Sequence, residues 1–350
     1  MQIKFIASIL FIVALPFCLA AQQKQNLMDG TTDPEDADGA YIRKFVKTNE
    51  ARGFFKVQNT RVEFGSTKEG SKLNRRGFFK NSTNQVGLGF SYKIFGADIS
   101  FSLPQQMLLD SSLQNLKQFR VGFSYTGRKF AGRVYLNNSK GLVVSDALKR
   151  FQSEPDVKMF KMGAQMVYIF NDPEYSLRAS VLQTELQRKT AGSVLIKGEL
   201  FFHNINTGSG LVTPDKDLVT VYGDQSGLNY ARGPGLLIMP GYGMNFSFFD
   251  GQLYVAPMAF LGAGASYSFY RGNMGSHNKT NLLIGGMSQL NFGYNSPAMY
   301  TNFSISGETT SIKLNPSFIT STDFRFNITL GFRFGHLEDV IPTSLPDNLF

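Results

Sequence analysis

The chain contains one cysteine, three histidines and no tryptophan. Cys18 lies inside an apolar N-terminal run that reads as a leader, so the exported chain is expected to hold no cysteine at all. Disulfides, thiolate catalysis and cysteine-ligated metals are thereby excluded. His203, His277 and His336 are the remaining imidazoles, which leaves few ways to build a histidine dyad or a metal cluster. G-x-S-x-G and H-E-x-x-H do not occur, and Gly275–Thr280 (GSHNKT) lacks the Gly-Lys-Ser/Thr ending of a phosphate loop. No metal or cofactor is expected. No segment reaches the length of a helical membrane span, roughly 18 consecutive apolar residues.

What is present is alternation. From Phe324 to Phe334 the residues Phe324, Phe326, Ile328, Leu330, Phe332 and Phe334 interleave with Arg325, Asn327, Thr329, Gly331 and Arg333. A strand sends successive side chains to opposite faces, and a run of this length crosses a bilayer as a tilted strand. The same period recurs at Val86–Ile94, Ala97–Leu103, Phe119–Tyr125, Phe160–Phe170, Tyr175–Val181, Leu253–Phe269, Leu282–Tyr294 and Met299–Ile305. With 35 glycines, 33 phenylalanines and 14 tyrosines, the composition favours tight turns and aromatic surfaces.

The leader has a positive residue, Lys4, an apolar stretch Phe5–Phe17 and small residues Ala20 and Ala21. It reads as a cleaved signal peptide over residues 1–21. Acylation at Cys18 would need a small residue before it, and Phe17 stands there. Residues 22–50 are polar and acidic and read as a loose tail, residues 51–334 as the barrel, and 335–350 as a short C-terminal tail. The net charge of +9 points to anionic lipid head groups rather than nucleic acid, which an exported protein rarely meets.

Connections divide into short ones rich in Gly, Asp, Asn and Pro, such as Asn171–Glu174 and Phe249–Gly251, and longer ones at 65–83, 104–118, 138–157, 270–280 and 307–323. Bacterial barrels pair short periplasmic turns with long outer loops. Strict alternation of the two kinds requires a strand within Phe54–Phe64 and another near Leu211–Tyr222, where the pattern is weak. The fold is therefore read as an all-β, transmembrane, antiparallel up-and-down barrel of about fourteen strands, with twelve as the alternative. Tyr92, Tyr125, Phe130, Phe170, Tyr175, Phe248, Tyr294 and Phe334 lie on the apolar face beside short turns or at the last strand end, as a periplasmic aromatic girdle would. A soluble sandwich has no reason to collect outward aromatics at one end.

Several stretches resemble the Bacteroidota outer-membrane barrels classed as domain-of-unknown-function family 4421. They are LGFSYKIFGADISFSLP (Leu88–Pro104), YTGRKF (Tyr125–Phe130), the Lys140-Gly141 pair, YIFNDPEYSLRASVLQTELQRKTAGS (Tyr168–Ser193) and LNFGYN (Leu290–Asn295). The resemblance spans Tyr41 to Phe334. It departs after Phe130, where AGRVYLNN replaces an acidic, tyrosine-rich run. It implies an outer-membrane barrel and brings no activity, substrate or catalytic residue with it.

The polar strand faces carry Lys93, Asp98, Arg120, Arg133, Lys161, Arg178, Lys197, Glu199, Arg325 and Arg333. A cation on the lipid face costs about 2–4 kcal/mol at mid-depth, so these residues are placed in the lumen or near an interface. There they make either a basic pore that favours anions or a lumen filled by ion pairs. Glu185, Arg188 and Lys189 are candidates for binding a phosphate or sugar at the outer mouth, or for tying down a hairpin. Lys68, Lys72, Arg75, Arg76 and Lys80 in loop 65–83 are candidates for pairing with lipopolysaccharide phosphates. The leading functional expectation is a narrow channel for small polar or anionic solutes or an envelope structural component. A lipid- or lipopolysaccharide-acting enzyme and a scaffold for a surface or secretion complex are the alternatives. Expected partners are outer-membrane lipid and lipopolysaccharide, the barrel-assembly machinery and an unidentified envelope protein.

Overall fold

The computed structural model describes residues 40–45, 49–66, 77–92, 94–103, 117–145, 151–206, 230–272, 275–314 and 317–334. Among them are two short strands, β1 (Ile42–Lys44) and β8 (Glu185–Gln187), which pair with each other. The rest form one closed antiparallel barrel. In chain order its strands are β2 (Asn49–Ser66), β3 (Gly77–Tyr92), β4 (Phe95–Ser102), β5 (Lys117–Thr126), β6 (Phe130–Ser145) and β7 (Phe151–Ile169), followed by β9 (Ala191–Asn206), β10 (Tyr230–Phe248), β11 (Leu253–Gly272), β12 (Gly275–Asn295), β13 (Met299–Leu314) and β14 (Ser317–Phe334). Each neighbours the next, and β14 closes on β2 from Ser317↔Ser66 to Phe334↔Asn49.

The alternation seen in the sequence is the alternation of the wall. Leu282 is 52% exposed and Leu283 0%, which fixes the outward and inward faces of β12. Leu88, Phe123, Val134, Met166, Leu200, Ile238 and Leu261 are likewise exposed and apolar, and form the belt that lipid would cover. At the end carrying Asn49 and Phe334, called the near end, outward rings pack together. Phe95 meets Tyr125 at 5.8 Å and Tyr168 meets Phe170 edge-on at 4.9 Å.

Two expected strands change. Tyr175–Val181 is not a wall strand: Arg178–Leu182 forms a turn of π-helix closed by Gln183 at φ 57°. The segment does alternate, but it lies between β7 and β9, which pair directly from Lys158↔Asn206 to Ile169↔Leu195 and leave no room for it in the wall. The strand expected near Leu211–Tyr222 lies outside the described residues, and β9 pairs directly with β10 from Tyr230↔Asn206 to Asn245↔Ala191. The described barrel accordingly closes through twelve strands.

Expected loops 270–280 and 307–323 are largely strand. β11 and β12 run on to Gly272↔Gly275, and β13 and β14 to Leu314↔Ser317. At about 3.3 Å per residue these strands outrun an apolar band about 25 Å tall. Their far ends carry hydroxyls on both faces, as between Thr320 and Ser311 at 3.1 Å. β4 and β5 are short, and β3 and β6 pair directly above them, Phe79 opposite Val144. The tail also ends in structure, since β1 lies within it.

Replacing outward Leu261 with Arg is expected to cost about 2–4 kcal/mol if it sits at mid-depth. Thr309→Lys, beyond the apolar belt, should stay within about 0.5 kcal/mol. Urea unfolding of the barrel refolded into phosphatidylcholine vesicles measures both.

Candidate functional site: a plugged, two-sided lumen

The segment between β7 and β9 folds inward and closes the near end. Asn171 starts it: its backbone N–H donates to Ser193 Oγ at 2.9 Å and its side chain to the Gly192 carbonyl at 3.1 Å. Tyr175 and Leu177 then enter the apolar core with Leu195, Leu237, Met239, Met258 and Phe260. Gly243 is the seat for Tyr175, because a Cβ there would stand 2.5 Å from the phenol oxygen. Gln187 ties the segment to itself and to the tail, donating to the carbonyls of Glu174 at 2.6 Å and Tyr41 at 3.3 Å. Burial raises the Tyr175 phenol to about 12, so it stays neutral in the folded chain at any physiological pH.

The wall holds the plug from β12 and β14. Asn295 donates to the Glu185 carbonyl at 2.8 Å. Arg333 donates to the Gln183 and Ser296 carbonyls and to Asn295 Oδ1. Its guanidinium lies between the rings of Phe45 and Tyr300, 3.9 and 4.9 Å from their centroids. One arginine thus joins tail, plug and closing strand.

Above the plug is a cavity of about 320 Å³. One side, on β2, β4, β5, β6 and β14, is charged: Arg52, Lys56, Asp98, Arg120, Arg133 and Arg325 line it. The other side carries an apolar patch, with Met258, Phe260 and Met287 on β11 and β12 and Leu177, Val181 and Leu182 from the plug, bordered by Lys197, Gln183, Gln289 and Asn291. Most of the charges are paired. Arg133 binds both Asp98 oxygens at 2.8 Å, Arg325 binds Glu308 at 3.1 Å, and Arg52 donates to Glu50. Glu199 takes Lys161 at 3.4 Å, Lys197 at 3.7 Å and the Tyr135 hydroxyl at 2.6 Å.

Two cations stand apart from these pairs. Lys56 is buried and its ammonium donates to Ser100 Oγ at 3.3 Å. Arg120 lies over the Tyr135 ring at 5.6 Å, and its Nε is buried without a hydrogen-bond partner. Neither has a carboxylate within 4 Å among the described residues. On the inner face of β3, β5 and β6 a polar network runs along the wall: Gln118 accepts from Gln85 at 2.6 Å and from Thr83 at 2.9 Å, and donates to Asn137 at 3.0 Å.

The wall therefore places Asp98, Arg120, Arg133, Lys161, Lys197, Glu199, Arg325 and Arg333 inward, and gathers all but Arg333 around one interior. Arg178 is a correction. It belongs to the plug and pairs with Glu185 at 3.0 Å. Glu185, Arg188 and Lys189 are a second correction. They sit at the near end, because the chain from Asn171 to Thr190 never crosses the wall. Glu185 is buried and accepts from Ser176 Oγ at 2.6 Å, Arg188 pairs with Asp250 at 2.9 Å, and Lys189 lies over the Tyr41 ring at 5.4 Å. These contacts tie the segment to itself, to the tail and to the turn between β10 and β11. Tyr175, expected in the girdle, is buried in the plug. Lys93, Lys68, Lys72, Arg75 and Arg76 lie outside the described residues; Lys80 is in β3. Sequence reasoning missed Lys56, Arg52, Glu50 and Glu308. The first three sit in β2, whose outward phase, Ala51, Gly53, Phe55, Val57, Asn59 and Arg61, is apolar over only part of its length and so announces a strand weakly.

The family model described as Domain of unknown function (DUF4421) matches residues 36–334. The chain belongs to this family. No curated protein matches the DUF4421 barrel's sequence. Among solved structures it is similar to the outer membrane protease OmpT from Escherichia coli, with 10% identity over 83% of this chain and 98% of that one and a TM-score of 0.37. It is also similar to the translocator domain of the autotransporter NalP from Neisseria meningitidis, with 12% identity over 91% and 98% and a TM-score of 0.35. The beta domain of the Bordetella autotransporter BrkA gives 11% identity over 81% and 99% and a TM-score of 0.40.

Glu185→Ala would leave the Arg178 guanidinium buried and unpaired, a loss of about 3–5 kcal/mol. It is expected to expose residues 171–190 to protease in detergent. Arg188→Ala removes an exposed pair worth less than about 1 kcal/mol and should leave the digestion pattern unchanged.

Proposed function

We propose that this DUF4421 barrel is a plugged, narrow channel for small anionic solutes, exported by its leader and seated in the bacterial outer membrane with the near end in the periplasm. The observation that carries this reading is the pair Lys56 and Arg120, which face the interior cavity with no carboxylate within 4 Å among the described residues. A cation removed from water is costly unless an opposite charge meets it, and a passing anion meets that need. Both barrel termini, Asn49 and Phe334, lie at the near end, and that supports the periplasmic placement. The plug then stands at the exit and sets when the path is open. Lipopolysaccharide is the proposed partner of the outward far-end rim, where Arg232 lies over Tyr230 and Phe269 at 5.5 and 5.3 Å. The barrel-assembly machinery is the proposed route of insertion.

A second reading, an envelope component that never opens, is favoured by Arg333, whose contacts lock the plug to the wall. Planar bilayers separate the two. The wild-type barrel is expected to show little current. Replacing Leu177–Gln187 with a Gly/Ser linker should produce steps that favour chloride over potassium, and Lys56→Gln with Arg120→Gln should remove that preference. A plug-less barrel that stays silent, or one that favours potassium, would contradict the channel reading.

A further inference from the structure

The chamber above the plug has two unlike walls, and a bare inorganic anion would use only one of them. We infer that it is a binding site for a small amphipathic anion, a short aliphatic or aromatic chain ending in one carboxylate or phosphate, with its head on Lys56 and Arg120 and its apolar body on Met258, Phe260 and Leu177. This rests on the anionic reading above and names the class of solute.

Three observations converge. The first is charge. Six basic side chains and one acid line the chamber. Asp98 holds Arg133, while Glu50, Glu199 and Glu308 reach Arg52, Lys197 and Arg325. Two positive charges remain, on Lys56 and Arg120. They converge on one place: Lys56 donates to Ser100, and Ser100 is the cross-strand partner of Arg120. The Arg120 Nε, buried and without a partner, is the kind of donor that an incoming oxyanion satisfies.

The second is the opposite wall. β11 stands far round the ring from β2 and β5, and Met258 and Phe260 present apolar surface to the same cavity. The plug contributes Leu177, Val181 and Leu182 beside Gln183. These side chains and the β11 pair form one contiguous apolar patch, with Lys197, Gln289 and Asn291 at its margin, and a hydrocarbon covers such a patch better than water does. The third is size. A volume of about 320 Å³ stands at the small end of ligand pockets. That admits a body of several carbons.

Calorimetric titration of the full chain in maltoside detergent tests this with hexanoate, acetate, hexyl phosphate and 1-hexanol, all soluble without forming micelles at the concentrations needed. Hexanoate or hexyl phosphate should bind, and the stronger of the two tells which head group the site takes. Acetate, which has the head alone, and hexanol, which has the body alone, should each bind at least about tenfold more weakly, and Arg120→Gln and Lys56→Gln should each weaken the anion by about tenfold. Arg120 makes no ion pair, so Arg120→Gln is expected to fold, and its thermal transition should equal or exceed that of the wild type. Phe260→Gln should weaken hexanoate and leave acetate unchanged. Acetate binding as tightly as hexanoate would overturn the apolar half of the site, and with it the inference, while leaving the channel reading intact. Hexanol binding as tightly as hexanoate, or hexanoate binding indifferent to both cation variants, would overturn the inference through its charged half. No binding of either amphipathic anion would overturn it outright; the chloride preference of the plug-less barrel would then decide the channel reading independently.

Discussion

The structure depends on closure of the backbone ladder. Inside hydrocarbon no water can meet an unpaired N–H or carbonyl, so a spanning sheet must have no edge. The pairing of β14 with β2, from Ser317↔Ser66 to Phe334↔Asn49, supplies that closure. Once the ring is shut, the two-residue period sorts the sequence: Leu282 turns to lipid and Leu283 to the interior. Every charge on the inward phase must then find its partner inside, because none is available in the belt.

Closure also creates the problem that the plug solves. A ring of twelve strands is wider than eight-stranded barrels, which wall side chains fill alone. Here the filling is uneven. On β9 to β12 the interior alternates large and small residues, with Phe201 over Gly235 and Tyr175 over Gly243. The plug packs on this apolar side and is locked from the other by Arg333. What remains is a space with hydrocarbon on one side and cations on the other. Its asymmetry comes from the distribution of residue types around the ring.

The fold was largely legible in the sequence because outward apolar residues alternate with polar ones wherever lipid touches the wall. Legibility failed where that contrast is lost. The far ends of β11 to β14 read as loops because water meets both of their faces, so Ser, Thr and Asn occupy both phases. β2 was placed only by parity, and Lys56 and Arg52 were missed with it. Tyr175–Val181 failed in the opposite sense. Its alternation is genuine, yet it packs against the lumen's apolar wall rather than against lipid, and a period of two cannot tell the two apart. The misplaced end of Glu185, Arg188 and Lys189 follows from that one segment. The inward set Asp98, Arg120, Arg133, Lys161, Lys197, Glu199 and Arg325 was readable because a charge in an otherwise alternating strand has one tolerable side. That Arg325 is paired was not readable, since its partners Glu308 and Asp323 lie in the stretch 307–323 that reads as a loop.

The central claim is that residues 171–190 fold into the lumen and are held there by Arg333. The most direct measurement is labelling of single cysteines, in a chain lacking Cys18, by a bulky charged maleimide. Gln183→Cys should react far more slowly than Asp250→Cys on the exposed near-end turn, and adding Arg333→Ala should bring its rate up toward that of the turn. A Gln183→Cys that labels as fast as Asp250→Cys in the otherwise wild-type barrel would show that the plug does not occupy the lumen, and the account would fail.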